Sequence, residues 1–168
     1  MIKSTIISLF LSILLISNSF SAGSSSAGSG DNGSSKTRTQ YDMAVSHIKA
    51  AKKLEEKDKI KKAKKRYEKA QKLLLKSNKK FPNKADTLNY LGFTTRKLGD
   101  FENGEKYYLQ GLAINPYHIG INEYLGELYV ATKRHNLAVE RLEVLNGCDC
   151  KEYDDLKAII EGKKASKY

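Results

Sequence analysis

Asn89-Tyr90-Leu91-Gly92 returns as Glu123-Tyr124-Leu125-Gly126, 34 residues further along the chain. Around the first copy, Leu88, Leu91, Gly92 and Thr95 fall at i, i+3, i+4 and i+7, which gives a helix one face of apolar or small residues. Gly99-Asp100 then ends that helix, with glycine suited to its C-terminal cap and aspartate to the N-cap of the next. The next helix carries Phe101, Gly104, Tyr108, Gly111 and Leu112 as a second stripe and stops before Pro116. The unit is a helical hairpin whose two members approach through small residues.

Residues 85–118 read Leu88-x2-Leu91-Gly92-x2-Thr95, then Gly104-x3-Tyr108-x2-Gly111, then Pro116. This resembles the tetratricopeptide repeat (TPR), with leucine, threonine and glycine standing where the repeat has Trp, Tyr and Ala. A further copy over 119–146 reads Leu125-Gly126-x2-Tyr129 and Ala138-x3-Leu142, with Asn122 at the Trp position and Lys133-Arg134 in the turn. An earlier, more worn copy has Ala63-x3-Tyr67-x2-Ala70 in its second helix, which places Ala51 and Leu54 in a first helix from about Tyr41 to Glu56. That second helix overruns the usual length, to Lys80. Tyr153, Leu156 and Ile160 make a last amphipathic helix able to cap the stack. The expected fold is all-α: a TPR-like superhelical stack of three helical hairpins plus a C-terminal capping helix, over residues 41–164.

The resemblance implies that the first helix of each hairpin lines a concave groove. Residues offset by one position from the packing face form that adjacent surface, because each residue turns a helix by roughly 100°. They are Asn89, Phe93, Arg96 and Lys97 in the middle repeat, and Glu123, Glu127 and Val130 in the last. Phe93 and Val130 offer apolar contact to an extended peptide, Asn89 can hydrogen-bond a backbone amide, and the charges can fix its direction. Such hairpins bring no preorganised reacting groups, so the expected function is a non-catalytic protein–protein interaction module, a scaffold or adaptor that needs no cofactor.

Charge divides the chain. Lys49 to Lys84 holds 16 basic and 4 acidic residues, whereas Ala85 to Gly162 holds 8 basic and 13 acidic. With Ile60, Ala63, Tyr67, Ala70 and Leu74 turned inward, Lys61, Lys62, Lys65, Arg66, Lys69 and Lys72 surround the outside of helix 59–80. That face suits an anionic lipid, glycan or acidic protein, so a structural protein held to an anionic envelope component is the alternative function. A solvated lysine face is its ordinary counterpart. Nucleic acid is not expected as a partner, because no stacking aromatics alternate with the lysines and the chain reads as exported.

Export is read from the first residues. Lys3 precedes the apolar run Ile6 to Ile16, and small residues at Ser19, Ser21 and Gly23 permit cleavage, which makes 1–22 a signal peptide, or an anchor if it is retained. Residues 23–40, rich in Gly and Ser, read as a flexible linker. Gly28-x-Gly30-x-x-Gly33 within it matches a dinucleotide-binding pattern by letter only, with no strand before it and no βαβ unit around it. Periplasmic or secreted location follows. His47, His118 and His135 are scattered, with His47 on the packing face of its helix, and no catalytic or metal constellation accompanies them. Cys148-Asp149-Cys150 leaves three readings open: a disulfide staple ahead of the last helix, reduced thiols, or a redox or metal role. Two Pro, no Trp and a net charge of +11 in 168 residues complete a composition that favours long helices over a turn-rich sandwich.

Overall fold

A computed structural model describes residues 38–165. The signal peptide expected over 1–22 and the linker up to residue 37 lie outside the described residues. Within them the chain forms α1 (Gln40–Glu55), α2 (Ile60–Lys80), α3 (Ala85–Lys97), α4 (Phe101–Ile114), α5 (Ile119–Ala131), α6 (His135–Val144) and α7 (Lys151–Ile160), with no strand. The all-α fold expected from the sequence is observed. α1 packs on α2, α3 on α4 and α5 on α6, so each short connection closes a hairpin. Successive hairpins join through α2 with α3 and α4 with α5, while α7 covers α5 and α6.

Local chemistry sets the helix ends. Thr39 caps α1 through a reciprocal box with Asp42, and Asp100 accepts from the Asn103 amide at the start of α4. His118 caps α5: its Nδ1 accepts from the Ile121 amide at 3.2 Å, which leaves Nε2–H to donate to Asp86 across the hairpin junction. The turn residues Asp58, Gly99 and Lys133 all have positive φ, so the hairpin turn is the same left-handed device three times, with glycine in only one copy. α2 has 21 residues where α4 has 14, and these two extra turns are what displaces the first repeat from the 34-residue period.

Small residues bring the helices together. A Cβ on Gly92 would stand 2.5 Å from the Tyr108 ring of α4, and one on Gly104 3.2 Å from the Gly92 carbonyl oxygen. Around them Ile48, Ala51, Tyr67, Ala70, Leu74, Leu88 and Leu91 form one apolar cluster, and Tyr108, Ile121, Leu125, Leu128 and Ala138 a second. Two expectations change. Ile60 is 55% exposed rather than inward: as the first residue of α2 it follows the turn from α1 and borders the open groove. Gly126 meets Leu156 of α7, at 2.6 Å from an added Cβ, so its small size serves the capping helix and not its own hairpin partner α6.

Candidate functional site

The first helices present equivalent positions to one groove. With Ala51, Gly92 and Gly126 in register, the next residues are Lys52 on α1, Phe93 on α3 and Glu127 on α5, and all three line a cavity of about 530 Å³. Phe93 and Tyr124 form its floor, with ring centroids 5.0 Å apart, and Tyr67 supports Phe93 edge-on from beneath at 5.7 Å. One wall carries Lys52, Glu55 and Lys97. The other carries Glu123 and Glu127 of α5 with Glu152 and Asp155 of α7, and Ile60 stands at the lip.

Most of these charges are engaged within the protein. Lys97 Nζ lies 2.7 Å from Glu55 Oε1, and Tyr67 donates to Oε2 of the same carboxylate at 2.8 Å. Lys52 Nζ sits 4.7 Å from the centroid of the Phe93 ring and donates to the Tyr124 hydroxyl at 3.1 Å. Beneath the floor, Arg96 donates to the Tyr124 carbonyl at 2.6 Å and to Glu127 at 3.0 Å. Lys151 and Lys164 both bind Asp155; burial pushes the Asp155 pKa up, but these hydrogen bonds outweigh it and hold it below the usual carboxylate value. Burial raises the Glu127 pKa, although Arg96 opposes the shift.

Glu123 differs from its neighbours. It is 8% exposed, and none of the described residues donates a hydrogen bond to it. Burial first, then the charges of Glu127, Glu152 and Asp155, push its pKa up to about 8, against a smaller opposing effect from Lys52.

The residues expected to line a groove divide accordingly. Phe93, Lys97, Glu123 and Glu127 come together at it. Arg96 is 1% exposed and holds the floor from below. Asn89 is buried away from the groove, its side chain filling the space beside Gly120, and Val130 packs with the apolar cluster of the third hairpin. The one-residue offset alone did not find Lys52, Tyr124 or the α7 residues. The register of Ala51 with Gly92 carries a signal for Lys52, but no repeat position encodes where a capping helix lands. Lys61, Lys62, Lys65, Arg66, Lys69 and Lys72 are all exposed on α2, and Arg66 Nη1 reaches His47 Nδ1 at 3.1 Å. His47 is half-buried, with its pKa lowered by burial and by Arg66 and Lys69. Cys148 and Cys150 are disulfide-bonded, with Cα atoms 5.2 Å apart, immediately before α7.

No family profile matches the chain, and no curated protein sequence does. Among solved structures, it is similar to the first TPR of Spaghetti (RPAP3) bound to HSP90 peptide SRMEEVD, with 16% identity and a TM-score of 0.47 over 76% of this chain and 97% of that one.

Proposed function

We propose that the helical domain is a non-catalytic interaction module that takes an extended segment of a protein partner in the groove between its first helices. The observation that carries this reading is the groove itself: α1, α3 and α5 together supply an aromatic floor of Phe93 and Tyr124 flanked by charged walls, which suits a peptide's apolar and polar groups together. Residues 1–22 would address the chain to the cell envelope, periplasmic or secreted, where it would act as a scaffold or adaptor.

The test is binding of a displayed library of random peptides of about twelve residues to the full chain. Ile60→Trp narrows the lip at an exposed position and should abolish binding, whereas Lys61, Lys65 and Lys69 changed together to Glu should leave it intact. The reverse pattern would favour the second reading, attachment to an anionic envelope component through α2. That reading is supported by six neighbouring basic side chains, all open to solvent. Such attachment would weaken steeply with added salt.

A further inference from the structure

The groove's two walls are not equivalent, and the difference lies in which carboxylates already have a cation. Glu55 is satisfied by Lys97 and Tyr67, Glu127 by Arg96, and Asp155 by Lys151 and Lys164. Glu123, on the wall built by α5 and α7, is 8% exposed as a residue, lines the groove, and accepts no hydrogen bond from the described residues. Three carboxylates act on it, Glu127 one turn away on α5 and Glu152 and Asp155 on α7, while Lys151 and Lys164 of the same wall are taken by Asp155. Lys52, the cation opposite, is held over the Phe93 and Tyr124 rings and on the Tyr124 hydroxyl.

Resting on the groove reading above, we infer that the α5–α7 wall is a subsite for a lysine or arginine side chain of the bound peptide, with Glu123 as the carboxylate that receives it. A primary ammonium or guanidinium donates hydrogen bonds to the Glu123 carboxylate, which releases its proton to solvent as the pair forms. Its methylene stem can lie along the aromatic floor. Among the described residues no three His, Cys, Asp or Glu side chains converge as a metal ion would require. Burial raises the Glu123 pKa to about 8, which is the electrostatic consequence of a buried carboxylate that lacks a counter-ion.

The experiment takes the strongest peptide binder that Ile60→Trp abolishes, synthesises it with each Lys or Arg replaced in turn by norleucine, and titrates each form into the full chain and its Glu123→Gln variant. Glutamine keeps the shape, and circular dichroism and melting confirm that the variant folds. One basic position should matter. Glu123→Gln should weaken the parent peptide at least tenfold and leave the corresponding norleucine peptide unchanged, so that the two losses are not additive. Groove-dependent binders that lack a basic residue, or that are indifferent to Glu123→Gln, overturn this inference while the groove reading stands. Failure to obtain any binder sensitive to Ile60→Trp overturns both. Light scattering covers the remaining occupant: a wild-type oligomer that Glu123→Gln dissociates would make a second copy, through its own lysines, the group seated at the wall, and would overturn assignment to a separate partner.

Discussion

Glu123 ties the stability of the fold to pH. Its folded-state pKa of about 8 lies above the ordinary carboxylate value of 4.5, so between these limits the native state holds a proton that the unfolded chain releases. Its contribution is therefore greatest below about pH 4.5 and is lost as pH rises through about 8, by an amount on the order of 2–5 kcal/mol. Glu127, Glu152 and Asp155 strengthen the effect and Lys52 opposes it. Glu123→Gln, a permanent mimic of the neutral form, should melt close to wild type at pH 5 and at least about 5 °C above it at pH 9. Equal melting temperatures at both pH values would show that the carboxylate has a counter-ion in solution. Gly126 yields a second expectation at this scale. Gly126→Leu should cost on the order of 1–3 kcal/mol, since its side chain must displace Leu156, which is fully buried. Leu156→Ala in the same chain should recover part of that loss, whereas a substitution on α6 should recover none. The need for a small residue at Gly126 was readable from the sequence, because the 34-residue repeat aligns it with Gly92. The neighbour it makes room for was not, because α7 stands outside the repeat.

The helices themselves were largely readable from local rules. Thr39 and Asp100 cap as their side-chain chemistry requires, and the apolar stripes of α2, α4 and α7 bury Tyr67, Leu74, Tyr108 and Leu156. His118 went unread as a cap because its role depends on its tautomer, fixed by Asp86 from a distant turn. Burial of Asn89 and Arg96 was likewise hidden, since a polar residue beside an apolar stripe looks like a surface residue until the next hairpin covers it. The turns yield a prediction of their own. Lys133 adopts φ 61° where the equivalent residue of the preceding hairpin is Gly99. A side chain with a Cβ is disfavoured in that conformation, so Lys133→Gly should stabilise the protein by about 0.5–1 kcal/mol, as read from the denaturant midpoint at unchanged slope. A loss of stability would mean that the Lys133 side chain contributes contacts that outweigh the backbone cost.

Over the whole molecule, the basic half and the acidic half of the chain are brought into one stack. The charge division was visible as composition, but the meeting of Lys52 with Phe93 and Tyr124 is a matter of tertiary packing between α1, α3 and α5. Arg96 has a further effect. From α3 it bonds a backbone oxygen 28 residues ahead and a carboxylate 31 ahead, with the guanidinium itself fully buried. Should the third hairpin come away alone, that guanidinium would lose these two bonds and the Phe93–Tyr124 floor would part with it, a loss on the order of 3–5 kcal/mol for the ion pair alone. Repeat arrays can melt piecemeal when the interfaces between units are weak. Here the second and third hairpins should exchange their slowest amide protons at one common rate and unfold in a single calorimetric transition. Arg96→Met should restore packing without the pair and split that transition, turning an all-or-none domain into one that frays from its C-terminal end.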